Sequence, residues 1–367
     1  MRVGVLTGGG DAPGLNPAIK GLVYRGSELG LEVFGLLDGW RSLLDPLPDV
    51  LPLNRETVRR WDRDGGTNLG SSRTNPFRQP MDGGFQDRSC EVIKNIKKLG
   101  LDAVVACGGE DTLGVAARLA QSDVRVVGVP KTIDKDIAAT DYTLGFDTAL
   151  RNISEVIERS RTPAGSHGWV QIVEVMGRQA GHLALWSGVA GQANIILIPE
   201  HPFQYSRVFH LLKDRLGKPG LTRGPSQRPR YAVIVVAEGA RAQDGEMITI
   251  DDHQDAFGHV RLGGIGDVLA QRIANETLYE SRAVILGHPQ RGGPPSTIDR
   301  IMGLMFGARA AEAVADNKFG KMVSARGIAP ACDLSLVDIS MALGRINLVD
   351  VDRHYDINRY HFKNIGM

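Results

Sequence analysis

A chain of 367 residues is long enough for two domains, and with 42% apolar and 23% charged residues it has the composition of an ordinary globular protein. A formal net charge of +1 gives no electrostatic reason to expect nucleic acid or a membrane surface as a partner. Cys90, Cys107 and Cys332 have neither CxxC nor metal-ligand spacing, so they are expected as free thiols in a reducing compartment.

Residues Arg2 to Thr7 predict a short apolar strand, followed by a glycine-rich loop from Gly8 to Asn16, GGGDAPGLN. A helix is expected over Pro17 to Leu29, with Asn16 as its N-cap and Pro17 at its first position. Strand, glycine loop and helix in succession offer backbone N–H groups to a phosphate, although the spacing is neither a Walker loop nor GxGxxG. The opening residues hold no apolar stretch of signal-core length and no later run reaches membrane length, so a cytoplasmic location is expected. Leu31 to Leu37 reads as a second strand. The loop from Asp62 to Arg78 joins glycine and serine to three basic side chains and is either an anion-binding loop or a surface loop.

Cys90 to Leu99 has the pattern of an amphipathic helix leading into a strand at Ala103 to Cys107, then GGEDTLG and a helix over Gly114 to Ala120. Glu110 and Asp111 at the end of a buried strand are costly unless paired with cations or a metal. They equally suit the positive N-terminal end of the helix that follows. The β-branched run from Val126 stops at Pro130 and delivers a cation, a hydroxyl and two carboxylates: Lys131, Thr132, Asp134 and Asp136. In an open parallel sheet the ligand crevice lies just beyond such strand ends.

Further on, Thr143 to Arg159 predicts a helix, and Val170 to Val175 a strand running into Met176 to Leu185. Ala193 to Ile198, Tyr231 to Val236 and Ala283 to Leu286 read as strands, the last ending in GHPQRGG. The basic, Pro- and Gly-rich stretch from Lys213 to Arg230 reads as a solvated loop in preference to an anion patch. INLVDV, residues 346–351, reads as an edge strand, with a polar tail at the surface. The alternation argues for an α/β fold with parallel sheets. Five strand ends carry glycine beside charge, an inventory that suits phosphoryl transfer, where the protein mainly positions groups and neutralises charge.

LTGGGDAPGLN, GGEDTLG, PKTIDKD, VEVMGR and GHPQRGG, in this order along the chain, resemble the successive signatures of the phosphofructokinases. The resemblance implies two three-layer α/β domains with mainly parallel sheets and the active site in the cleft between them. Residues 1–145 plus 290–340 would form the larger, donor-binding domain, and 146–289 plus 341–367 the smaller, sugar-binding one. It implies Mg²⁺-dependent transfer of phosphate to the 1-hydroxyl of fructose 6-phosphate by a homodimer or homotetramer. Gly9, Gly10, Gly109 and Arg73 would contact the donor, and Glu110 would hold the metal. Thr132, Asp134 and Asp136 match the catalytic loop, with Asp134 as base, and Arg178 would stabilise the transferring group. Met176, Gly177 and Glu238 would meet the sugar, while His288 and Arg291 would face its phosphate. Arg282 would reach the substrate phosphate of a neighbouring subunit.

Members that use ATP typically have glycine at the positions of Asp111 and Lys131, and members that use pyrophosphate look like this chain at both. The resemblance therefore implies pyrophosphate as donor, with ATP, another acceptor such as sedoheptulose 7-phosphate or a non-phosphorylated sugar or cyclitol, or a non-catalytic phosphate sensor as alternatives. Three departures bear on this. Trp169 stands where the family usually supplies a second phosphate-binding arginine, which implies a weaker grip on fructose 6-phosphate or a different acceptor. Lys135 replaces the usual asparagine between the catalytic acids. Asn194 sits where allosterically regulated bacterial members carry a metal-binding glutamate, which argues against nucleotide regulation.

Overall fold

Apolar, β-branched runs bounded by glycine and proline become the strands of two main sheets in a computed structural model of the chain. It describes residues 1–81, 83–217, 231–243, 245, 248–254, 257–258 and 260–363. The chain divides into two compact units. The first comprises Met1–Thr148, Gln254–His259 and Arg291–Ile346, and the second Ala149–His253, Val260–Gln290 and Asn347–Met367.

Among the described residues, the first unit holds a seven-stranded sheet in the order Ala331–Asp338, Lys321–Ile328, Val126–Pro130, Ala103–Gly108, Arg2–Thr7, Glu32–Leu36 and Val50–Leu53. The five inner strands pair in parallel, and the two edge strands are antiparallel to their neighbours. Successive side chains point to opposite faces of a strand. Val3, Val5, Val105 and Cys107 accordingly pack with the helices Leu15–Glu28 and Thr297–Ala315. Leu6, Val104 and Ala106 pack with Ser89–Lys98 and Glu110–Ala120. Both faces are covered, which gives three layers and explains why the inner strands read as unbroken apolar runs.

Three boundaries differ from expectation. The first helix begins at Leu15 and is capped by Gly14 at φ 108°, a left-handed conformation that glycine adopts without a Cβ penalty. Asn16 is therefore inside the helix and is not its N-cap. Its amide donates to the carbonyls of Asp64 (3.2 Å) and Gly65 (3.1 Å) and accepts from Asn68 N–H (2.8 Å), tying the glycine loop to residues 64–68. The helix expected from Gly114 starts at Glu110, and the one expected over Thr143 to Arg159 runs from Phe146 to His167 with Pro163 inside it.

The second unit carries a four-stranded, all-parallel sheet in the order Ser281–Ile285, Val170–Val175, Ala232–Ala237 and Ile195–Leu197. Residues 346–351 form no strand. Ile346 makes one isolated bridge to Ile137, and Asp350 caps the short helix Val351–His354 by accepting from Arg353 N–H at 3.0 Å. Nor is the tail surface chain. Tyr355, Tyr360 and His361 are buried, and the Tyr360 carbonyl accepts from Ile196 N–H at 2.7 Å, so the tail covers the edge strand Ile195–Leu197. Of the stretch expected as a basic loop, residues 213–216 end the helix Tyr205–Leu216 and residues 218–230 lie outside the described residues. No described helix is long and apolar enough to cross a membrane.

Candidate active site

In the first unit, three segments are laced together at the carboxyl edge of the parallel strands. Gly8 N–H donates to the Cys107 carbonyl at 3.0 Å, Gly9 N–H donates to the Ser72 carbonyl at 3.0 Å, and the Ser71 hydroxyl donates to the Gly9 carbonyl at 2.6 Å. Thr112, in the first turn of the helix after Gly109, fills the space where Gly8 and Gly108 would carry a Cβ, so glycine is required at both. Arg73, exposed and next to Ser72, is thereby brought to this loop. Gly10 leaves room for the Arg291 guanidinium, which would lie 2.8 Å from a Cβ there and donates to the Asp11 carbonyl at 3.1 Å. Arg291 thus reaches the glycine loop through one of its five N–H groups.

Lys131 is only 2% exposed, and its ammonium donates to the Gly8 carbonyl at 3.0 Å and to the Gly10 carbonyl. Burial, and then the positive charge of Arg291, push its pKa down to about 7 against the pull of Asp11. An ammonium has three N–H donors, and these two carbonyls take two of them. The sequence announced a cation here, but not that it would sit beneath the loop.

The chain then turns back on itself. Lys131 N–H donates to the Gly108 carbonyl at 3.0 Å, Thr143 Oγ1 donates to the Thr132 carbonyl at 2.7 Å, and Thr132 Oγ1 accepts from Asp134 N–H at 3.1 Å. Burial, followed by the negative charge of Asp134, holds the Asp136 pKa up at about 7, with Glu110 adding a smaller push and a hydrogen bond from Thr132 opposing it. Lys135 lies between the two acids at φ 56°. Left-handed backbone is tolerated by asparagine and costs other residues roughly 1–2 kcal/mol, which accounts for the asparagine usual in the resembling family. Its ammonium rests 5.4 Å from the centre of the Phe146 ring.

Asp299 was not singled out from sequence. Fully buried, it accepts from the Tyr142 hydroxyl (2.7 Å), Gly145 N–H (2.7 Å), Thr148 N–H (2.8 Å) and the Thr148 hydroxyl (2.5 Å), fixing the return of this loop. The one signal for it was Ser296-x-x-Asp299, a helix-start pattern, and Ser296 does cap that helix by accepting from Asp299 N–H.

Glu110 and Asp111 occupy the first turn of the helix after Gly109, Glu110 exposed and Asp111 half-buried. One Glu110 oxygen accepts from Gly344 N–H at 2.8 Å. Among the described residues no three His, Cys, Asp or Glu side chains come together as a metal cage. The charges of Glu110 and Asp134 nevertheless both act on Asp136. Such a spaced set of carboxylates fits Mg²⁺, which takes one or two carboxylates and completes its shell with water and substrate phosphates.

In the second unit, the strand Val170–Val175 delivers Met176, Gly177 and Arg178. Met176 N–H donates to the side-chain oxygen of Gln290 at 3.1 Å, and the buried Gln290 donates to the Gly287 carbonyl at 3.0 Å, so His288 is carried beside this turn. Glu238 N–H donates to the Val175 carbonyl at 2.8 Å and Gly239 N–H to the Gly177 carbonyl at 3.2 Å. A Cβ on Gly239 would overlap the Arg178 carbonyl, so the two turns meet backbone to backbone. Met176, Gly177, Arg178, Glu238 and His288 are brought together. Arg282 is not among them. It is paired in register with Gln171, five residues from Met176 along the strand, or about 16 Å at 3.3 Å per residue. The Asn194 side chain accepts from Val233 N–H at 2.8 Å, a bond internal to the sheet.

A family model described as "Phosphofructokinase" matches residues 2–314. Two curated relatives come from Streptomyces coelicolor (strain ATCC BAA-471 / A3(2) / M145). One, named pyrophosphate–fructose 6-phosphate 1-phosphotransferase, is 48% identical over 353 residues and aligns with 95% of this chain and 96% of its own. The other, named ATP-dependent 6-phosphofructokinase 3, is 41% identical over 355 residues and aligns with 96% of this chain and 98% of its own. Among solved structures, a phosphofructokinase from Saccharomyces cerevisiae superposes with a TM-score of 0.75 at 26% identity, covering 93% of this chain. This chain spans only 45% of that longer one.

Proposed function

The chain belongs to the phosphofructokinase family, and we propose that it moves a phosphoryl group from pyrophosphate to the 1-hydroxyl of fructose 6-phosphate. The observation that carries this reading is the Lys131 ammonium held against the Gly8 and Gly10 carbonyls. It puts a basic nitrogen under the donor loop, where the charge of a compact diphosphate would keep it protonated and be neutralised by it. Asp111, on the next helix's first turn, acts in the opposite sense on a nucleotide. Two like charges at about 4 Å repel by on the order of 4 kcal/mol at an effective dielectric near 20, roughly three decades of affinity. Attraction for one donor and repulsion of the other together make the specificity.

Phosphoryl transfer asks the protein chiefly to position and to neutralise. In this reading Asp134 accepts the proton of the sugar's 1-hydroxyl as that oxygen attacks, and Thr132 fixes the turn that presents it. Gly9, Gly10, Gly109 and Arg73 hold the donor, with Arg291 beside them. Arg178 neutralises charge on the transferring group, Met176, Gly177 and Glu238 line the sugar, and His288 meets its phosphate. Glu110 would hold the Mg²⁺ that the reaction needs, and the ion would supply further charge neutralisation. The distance of Arg282 from the Met176 turn supports its serving a second copy of the chain, hence a homo-oligomer. The three free cysteines fit a cytoplasmic enzyme.

The test is turnover with Mg²⁺ and pyrophosphate on fructose 6-phosphate, sedoheptulose 7-phosphate and a non-phosphorylated hexose, the last two included because Trp169 replaces an arginine. Fructose 6-phosphate is expected to give the highest kcat/KM. A tenfold preference for another acceptor reassigns the substrate, and no turnover on any supports a phosphate sensor.

A further inference from the structure

Trp169 reads in the sequence as a lost arginine. In the structure it is occupied with the arginine that remains. The indole is buried, 7% exposed, and the Arg282 guanidinium lies over it at 4.3 Å from the ring centroid, while the Arg282 side chain itself is 58% exposed. The indole cannot easily tilt. Its N–H donates to the Gln171 side-chain oxygen at 3.2 Å, and the His167 ring stacks on it at 5.0 Å with 11° between planes. The same Gln171 donates to the Arg282 carbonyl at 3.2 Å, so one side chain braces both the platform and the backbone of what rests on it.

The guanidinium is held from a second direction as well. Its Nε and one Nη2 hydrogen donate to Glu280 Oε1 at 3.1 and 2.7 Å. Of the five N–H groups of an arginine, three are left over. Arg282 stands on Ser281–Ile285, an edge strand of the second unit's sheet, where Val284 and Ile285 are also exposed. An exposed arginine ordinarily loses much rotamer freedom when it grips an anion. One already laid on a rigid aromatic face and tethered to a carboxylate has lost most of it beforehand, and preorganisation of this kind strengthens binding.

We propose that Trp169 is a positioning residue whose indole holds Arg282 ready as a one-arginine grip for a phosphate monoester. The inference rests on the functional reading above for the identity of that monoester, the phosphate of fructose 6-phosphate. It replaces a second positive charge by a fixed orientation of the first.

Two measurements test it on the full-length protein. In steady-state kinetics, Arg282→Ala should raise the KM for fructose 6-phosphate with kcat little changed. Trp169→Leu should raise the same KM about two- to fivefold, the size of a solvent-exposed cation–π contact. Trp169→Phe, which keeps an aromatic face, should restore most of the loss. The double variant Trp169→Leu/Arg282→Ala should be no worse than Arg282→Ala alone. Independent, multiplying effects of the two single changes, or a Trp169→Leu enzyme with unchanged KM, would overturn the proposal. The second measurement does not need turnover. The emission of Trp169, taken as the difference between wild type and Trp169→Phe, should change on Arg282→Ala, and on titration with inorganic phosphate only while Arg282 is present. A difference spectrum indifferent to Arg282 removes the platform. Failure of the wild type to use fructose 6-phosphate, with this spectral coupling intact, counts against the functional reading and leaves the platform standing.

Discussion

Asp134 and Asp136 lie two residues apart on one loop and are given different work by their surroundings. Asp134 is the proposed base, and general-base assistance is typically worth about 10²–10⁴-fold. Asp134→Ala should lower turnover by that order while the KM for pyrophosphate stays within a few-fold. Steady-state rates decide this, and near-normal turnover removes Asp134 from the mechanism. Asp136 has its pKa held up at about 7 from an ordinary 3.8, by burial first and then by Asp134. A raised folded-state pKa means that its contribution to stability is fully present below about pH 4 and is lost as pH rises through 7. Asp136→Asn, neutral throughout, should therefore lack the wild type's decline in stability between pH 4 and pH 7 and be the more stable protein at pH 7.5. Urea midpoints across that range are the measurement. A variant that declines in parallel with the wild type would show that Asp136 is not the titrating group. The position of Lys131, Asp134 and Asp136 just beyond a buried strand was legible in the sequence because the β-branched run stops at Pro130. Asp299 was not, since its donors lie about 150 residues away in sequence and no local pattern reports a contact of that range. Trp169 was read as a loss of charge, because stacking on Arg282 depends on the register of two strands.

The glycine loop is carried by a helix, and that helix is carried by another. Leu15–Glu28 and Thr297–Ala315 approach so closely that a Cβ on Gly307 would overlap the Ala18 carbonyl, and one on Gly21 would overlap that of Leu304. Gly307→Ala should consequently destabilise the protein by about 1–3 kcal/mol, the usual cost of overpacking. The urea midpoint should fall with an unchanged m-value, whereas wild-type stability would mean that the two helices can part at no cost. The inner parallel strands were readable as apolar runs because both of their faces are covered. Less readable were elements covered on one side or decided by distant chain. The hairpin Lys321–Ile328 and Ala331–Asp338, with an edge strand half-exposed along its length, mixes polar and apolar residues. Asn16 looks like an N-cap in its local context, but the amide finds better partners in residues 64–68, and Gly14 supplies the left-handed turn. The tail is polar in composition yet buried, because Tyr355 and Tyr360 close the edge of a strand that lies about 160 residues earlier in the chain.

At the scale of the whole molecule, the residues proposed for the chemistry fall in both compact units. The proposed donor loop, carboxylates and Lys131 belong to the first unit, and Arg178 and the groups proposed to meet the sugar belong to the second. Relatives named for pyrophosphate and for ATP both align over nearly the full chain, so family membership leaves the donor to be decided by particular residues. Two residues decide it in this account. Asp111 and Lys131 follow separate strands, and each acts in the direction that favours pyrophosphate. Replacing Asp111 by glycine should relieve the repulsion of a nucleotide, so that ATP use appears or rises. Lys131→Gly should mainly damage pyrophosphate use, because it removes the cation beneath the donor loop. The most direct measurement is the initial rate of phosphoryl transfer to fructose 6-phosphate at saturating Mg²⁺, with pyrophosphate and with ATP, for the wild type and both variants. The account predicts a wild type active with pyrophosphate and nearly inactive with ATP, an Asp111→Gly enzyme that gains ATP use, and a Lys131→Gly enzyme that loses pyrophosphate use. Efficient use of ATP by the wild type would contradict it.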